Sequence, residues 1–369
     1  MKHKHLIFAL SFALLNAGGV FLIFGFQRYG DTVGLLDTIR GFWGKGDFVV
    51  FPLILRPLGP FLAMPFEFLG EGAGLIIQNI IFYLLATVLI FKIVDLIYHN
   101  KQQALLASFF FVTAVSVIES GLAYLTDMGA WFFYILSIFL TLLYFKNKNE
   151  KLIILNGVLS GMGVLMKENG GLGVVFFGLM VLFSGEFNLK EKISKIMNFG
   201  IFFLIPIITV QVFTFKYFQF TSLDWYSANK PSNLLDQDGL VLFSLRWFGQ
   251  FLKVLGILWI FFFIGLWREL REKNQERIKI YLALIPSSFS FLLWSVEAAG
   301  RSAFIFAPLG ILLGTYGLSF LDKKLGKKRG ALMMVLLILA VLFVNYYFCW
   351  FNHTITFVDK VAEFLGIWP

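Results

Sequence analysis

Long apolar runs separated by short polar ones dominate the chain, and the runs have the length of membrane spans. About 20 apolar residues cover the roughly 30 Å of a bilayer's hydrocarbon. Eleven windows approach that pattern: Leu6 to Phe26, Gly72 to Val94, Gln103 to Val117, Met128 to Phe145, Leu152 to Met166, Gly170 to Ser184, Ile196 to Phe215, Phe248 to Trp267, Ile278 to Val296, Ser302 to Leu321 and Ala331 to Phe351. The pattern predicts an all-α polytopic membrane protein with about 11 transmembrane helices, one transmembrane domain over 1–369 and no soluble domain. Lys2 and Lys4 precede the first window as in a secretion signal. Its apolar run is too long for one and no small-x-small cleavage site follows, so it reads as an uncleaved anchor.

Two stretches depart from the pattern. Residues 27–71 carry Asp31, Asp37, Asp47 and Arg56, with prolines at 52, 57, 60 and 65. Those prolines interrupt regular helix every few residues, so the apolar part, Phe48 to Leu69, is expected in the interface and not across the bilayer. Before it, Val33, Leu36, Ile39 and Phe42 recur at helical spacing, which predicts a short amphipathic helix over Asp31 to Trp43 resting on the membrane. The second long stretch, 216–247, holds Asp224, Trp225, Tyr226, Lys230 and the triplet Asp236-Gln237-Asp238.

Composition agrees with the windows: 59% of residues are hydrophobic and 14% charged, where soluble chains carry about 25% charged. One cysteine, Cys349, excludes an intrachain disulfide framework, and the four histidines (His3, His5, His99, His353) are too scattered for a zinc cluster. The net charge of +9 would suit nucleic acid, but its distribution gives another reason for it. With the N-terminus inside, 20 of the 31 basic residues and only eight of the 22 acids fall on the cytoplasmic side. That asymmetry satisfies the positive-inside rule and places the C-terminus outside a cytoplasmic membrane. Nucleic acid is no longer needed to explain the charge. The inner loops, such as Lys146 to Lys151, read as charged turns that fix orientation.

Polar groups collect instead at the outer ends of spans: Glu119 and Asp127, Lys167 and Glu168, Glu297 and Arg301. Ionisable residues at a hydrocarbon edge are costly unless paired or wet, so their gathering on one side suggests an outward-facing site. A transporter would be expected to show mid-span charges and an inverted repeat. The one charge that falls within a window there is Lys253, close enough to the outer end to snorkel.

Four segments carry a family resemblance: Tyr29-Gly-Asp31 after the first span, Tyr124-Leu-Thr-Asp127 opening the fourth, Gly157-Val-Leu-Ser-Gly161-Met-Gly-Val-Leu-Met-Lys167-Glu168, and Arg301-Ser-Ala-Phe-Ile-Phe-Ala-Pro308. In order, side and span number they resemble the GT-C superfamily of integral-membrane glycosyltransferases, nearest the branch of protein O-mannosyltransferases and aminoarabinose transferases. The resemblance covers roughly Leu6 to Leu321 and implies a GT-C-like fold with a helical first outer loop. It implies an inverting transfer of a sugar from a polyprenyl-phosphate carrier to an acceptor hydroxyl, the acceptor being a glycolipid or protein. Such chemistry needs a base for the hydroxyl and cations or dipoles for the departing phosphate.

On that reading Asp31 is the base, with helix N-capping as its structural alternative. Asp127 orients hydroxyls or caps the fourth span. Lys167, Glu168 and Arg301 serve the phosphate, the planar guanidinium being suited to it, and Glu297, Arg56, Arg246 and Lys253 are secondary candidates. The Asp236-Gln237-Asp238 triplet has the form of a metal pair without the expected place, so the cofactor requirement stands open between none and a divalent ion. Asp31 is followed by Thr32 where relatives often pair two acids. That favours, as alternative, a noncatalytic GT-C-like subunit or scaffold of a larger complex. A lipid-linked-sugar transporter is the third reading.

Overall fold

The computed structural model describes residues 4–45, 53–228, 248–249, 251–290 and 299–351, and every regular element among them is helical. Helix α1 (Lys4–Phe24) is followed by α2 (Gly30–Phe42), α3 (Leu58–Ala63), α4 (Ala73–Tyr98), α5 (Lys101–Val112) and a π turn (Val117–Gly121). Then come α6 (Asp127–Asn147), α7 (Lys151–Met166), α8 (Gly173–Phe183), α9 (Leu189–Phe218) and α10 (Ser222–Ala228). The chain continues through α11 (Leu258–Glu272), α12 (Gln275–Ser288), α13 (Ala299–Ala303), α14 (Ala307–Leu325) and α15 (Lys327–Phe351).

Among the described residues six helices are long and apolar enough to cross a membrane: Lys4–Phe24, Ala73–Tyr98, Asp127–Asn147, Leu189–Phe218, Arg301–Leu325 and Lys328–Tyr347. This is a multi-pass membrane protein. The other five predicted windows hold α5, α7, α8, α11 and α12, of 11 to 16 residues. At 1.5 Å per residue these reach only about 17–24 Å. Among the described residues the eleven predicted spans are thus not matched by eleven helices of spanning length, and two breaks contribute to the difference. Gly256, at φ +49°, interrupts the eighth window in a conformation that glycine tolerates. Helix α5 stops at Val112, and the carbonyls released there are taken by amides: Asn16 Nδ2 donates to Val112 O at 2.9 Å and Asn345 Nδ2 to Thr113 O at 2.7 Å. Away from water such backbone groups require protein partners.

Helices α4, α5, α6 and α7 form a contiguous packed body, with α9 laid along α7 and α11 along α14. Helix α6 is the most enclosed of the first four spanning helices, with 78% of its apolar window buried, whereas α9 buries 6% and presents Ile201, Leu204, Ile208 and Val212 outward to lipid. The glycine-rich run of α7 is explained by its neighbours: a Cβ on Gly161 would run into Phe203 O of α9. One turn on, Gly163 and Gly170 meet backbone to backbone, which folds the chain sharply around Lys167.

The segment after α1 forms helix α2, as the periodicity predicts, but its buried stripe is rotated. Leu35, Leu36 and Ile39 face inward while Val33 is 66% exposed. Asp31 is not the N-cap of α2. That position is Tyr29, whose backbone N–H donates to Thr32 Oγ1 at 2.9 Å, and Asp31 lies in the first turn, where the helix dipole favours a negative charge.

Candidate active site

The approach to α6 is stitched to the head of α2. Tyr124 N donates to Gln27 O at 3.0 Å, Thr32 Oγ1 donates to Tyr124 O at 3.1 Å, and Tyr29 Oη donates to the carbonyl of Glu119 at 3.0 Å. Behind this seam stands Asn79 of α4, wholly buried, whose amide donates to Ala123 O at 2.7 Å and Leu125 O at 2.8 Å. These bonds fix a non-helical stretch that ends at Asp127, the first residue of α6. Two acids from distant sequence therefore stand on adjoining walls.

Two cations meet them. Lys167, at the bend after α7, places Nζ 2.6 Å from Asp127 Oδ1. Arg301, carried by α13, places Nη1 3.0 Å from Asp31 Oδ2 and 3.7 Å from Asp127 Oδ2. The α13 turn is anchored by Phe304, whose ring packs 4.4 Å from that of Trp131, one turn into α6. Such a pair adds about 0.5–1.5 kcal/mol beyond buried area. A second ion pair, Arg56 Nη1 to Glu168 Oε2 at 2.9 Å, closes the same end. Between these groups lies a cavity of about 210 Å³ lined by Asp31, Leu35, Leu53, Arg56, Asp127 and Lys167 among others.

The two carboxylates differ in environment. The side chain of Asp31 is 57% exposed and opens to the cavity, whereas that of Asp127 is 1% exposed with Oδ2 lacking a hydrogen-bond donor. Beside them, burial and then the Glu119 carboxylate push the Tyr29 phenol up to about 12. Burial also raises the Glu119 carboxyl, against the pull of Lys253.

Six of the nine residues singled out by sequence meet here: Asp31, Asp127, Lys167, Glu168, Arg301 and Arg56. Lys253 does not line the cavity, and the acid it feels most is Glu119. Glu297 and Arg246 lie outside the described residues, as does the Asp236-Gln237-Asp238 triplet. Among the described residues no three acids, histidines or cysteines group as a metal site. Asn79 was not legible in advance, because a lone amide disappears within an apolar window.

Residues 57–213 match the family model of dolichyl-phosphate-mannose-protein mannosyltransferase. The chain also superposes on the crystal structure of an oligosaccharyltransferase from Archaeoglobus fulgidus, in complex with zinc and sulfate, with a TM-score of 0.57 at 15% identity. The fold is GT-C. The superposition covers 92% of this chain and 52% of that one, so the protein spans about half the length of the archaeal structure. No curated protein matches the sequence. The family match includes Asp127, Lys167 and Glu168 but begins after Asp31 and ends before Arg301. The cluster thus joins residues inside the matched region to residues on either side of it.

Proposed function

We propose that the chain is a glycosyltransferase that moves a sugar from a polyprenyl-phosphate carrier to an acceptor hydroxyl at the outer face of the cytoplasmic membrane, with its N-terminus inside and C-terminus outside. The matched family's description names a dolichyl phosphate sugar, which supports a lipid-linked donor. The observation that carries the reading is the convergence of Asp31, Asp127, Lys167 and Arg301, drawn from four outer segments and up to 270 positions apart.

In this reading the acceptor hydroxyl approaches Asp31, which takes its proton as the oxygen bonds to the anomeric carbon. The bond from that carbon to the phosphate oxygen breaks on the opposite face, giving inversion, and the electron pair leaves with the phosphate. Arg301, Lys167 and Arg56 supply positive charge where that pair collects, the form of stabilisation that lowers such barriers most. Asp127 holds the two nearer cations. The acids present are already matched with cations, so the charge stabilisation is assigned to side chains and not to a metal.

The test is turnover of a radiolabelled polyprenyl-phosphate sugar by the purified chain in proteoliposomes, with a hydroxyl acceptor supplied on the outer side. Release of polyprenyl phosphate that depends on Asp31 is the expected result. Failure of the folded wild-type protein to bind any such donor would replace this reading with that of a noncatalytic subunit.

A further inference from the structure

We propose that Arg301 is an exchangeable cation: it pairs with Asp31 until a carrier phosphate takes it over, and Asp31 becomes a competent base only when the donor is seated. The inference rests on the glycosyltransferase reading and adds to it an order of events.

The geometry separates the partners of Arg301 by strength. Asp127 is 1% exposed and anchored through Lys167 at 2.6 Å, so it is the fixed pole. Asp31 is 57% exposed and has Arg301, at 3.0 Å, as its ion-pair partner among the described residues. Ion pairs that open to solvent are weak. A phosphate offers the guanidinium a bidentate, charge-assisted pairing, which is stronger. Arg301 can therefore change partners while its 3.7 Å approach to Asp127 keeps it at the site.

Exchange alters Asp31 in two ways. While paired, one of its oxygens is occupied by Arg301 and is not open to the acceptor hydroxyl. After exchange it is a free carboxylate facing a phosphate of like charge, and like charge raises proton affinity. Deprotonation of the acceptor is thereby tied to the presence of the donor. Asp31 and the phosphate compete for one cation and repel each other, so removing the carboxylate must strengthen phosphate binding. A carboxylate that only caps α2 or only orients sugar hydroxyls would have no such effect.

The experiment is equilibrium binding of farnesyl phosphate to the full chain in detergent, with farnesol and inorganic phosphate as companions. Asp31→Asn is expected to bind farnesyl phosphate about three- to tenfold more tightly than wild type, the range open to a half-exposed pair. Farnesol binding should not change, and Arg301→Ala should cost more affinity in the Asp31→Asn background than in wild type. A parallel gain for inorganic phosphate supports exchange at the head group. Wild-type binding with equal or weaker binding by a folded Asp31→Asn overturns the exchange alone, as does a gain shared by farnesol. Absence of farnesyl phosphate binding in both proteins overturns the glycosyltransferase reading and this inference with it.

Discussion

The two ends of the helical body each hold a cluster of acids, arginines and tyrosines, and they are built for opposite purposes. At the end remote from the cavity, the inner one on the proposed orientation, Tyr98 and Tyr281 share a hydrogen bond, Tyr281 Oη donates to Glu269 Oε1 at 2.9 Å, and Arg277 pairs with Glu269 at 3.1 Å and Glu272 at 2.6 Å. Arg268 reaches Glu272 at 2.6 Å, and its guanidinium lies over Tyr316, which stacks on Tyr98. This cluster fastens α4 to α11, α12 and α14, and aromatic rings fill the space between its charges. The other cluster also pairs acids with cations, but Asp31, Arg56, Asp127 and Lys167 line a cavity and the Asp31 side chain is 57% exposed. A charge network closed by rings acts as a clasp. One that borders a void is available to a ligand.

The comparison breaks most visibly at Asp31. Asp31→Asn should lower glycosyl transfer by about 10²- to 10⁴-fold, the usual cost of losing a general base, with an unchanged melting curve. Wild-type turnover in the labelled-donor assay would remove the base assignment.

At the inner end the expected damage is to stability. Arg277→Ala leaves Glu269, whose side chain is 2% exposed, without its ion-pair partner. Breaking a buried pair from one side typically costs about 3–5 kcal/mol. Denaturation in mild detergent should show that loss, while activity per folded molecule stays near wild type. A large drop in specific activity would mean the two ends are coupled.

Asn79→Ala lies between these extremes. It strips the donors from two buried carbonyls, at about 1–3 kcal/mol, and loosens the segment that delivers Asp127. Stability and turnover should fall together, and a variant that loses stability alone would detach Asn79 from the site.

The smallest effect is on acid stability. Desolvation would lift the Glu272 carboxyl, but hydrogen bonds from Tyr316, Arg268 and Arg277 hold it down at about 2. An unfolded glutamate titrates near 4.3. Because the folded value is the lower one, its contribution is complete above about pH 4 and is lost as pH falls toward 2. Unfolding followed from pH 7 downward should show no loss from this group until that window, and Glu272→Gln should flatten the acid limb.

The outer cluster was readable because the membrane restricts where charge can stand. A carboxylate or guanidinium at the end of an apolar window has few reasons to be there, so Asp127, Lys167 and Arg301 stood out without any knowledge of contacts. The inner cluster was hidden by the same logic: Glu269, Glu272 and Arg277 lie among basic residues that the positive-inside rule already explains, and no linear pattern says that they turn inward. The stripe of α2 was misjudged by a rotation because Leu35 and Leu36 are adjacent and a helical period of 3.6 accommodates either. The helix lengths departed from the windows where side chains of other helices supply partners to a broken backbone, as Asn16 and Asn345 do for α5. That compensation depends on residues 96 and 232 positions away.

The contact of Gly163 with Gly170 has a mechanical consequence. With two backbones in touch, the elbow carrying Lys167 has no slack, and its Cα is as fixed as the helices on either side. The backbone at Lys167 cannot carry the cation outward, and only its side chain can move. On the proposed function, whatever larger travel the reaction requires belongs to the lipid, whose position in the bilayer must bring its phosphate to that post. Lengthening the elbow by a residue would shift that post relative to the bilayer and so alter which carrier lengths reach it, even with every charged side chain intact.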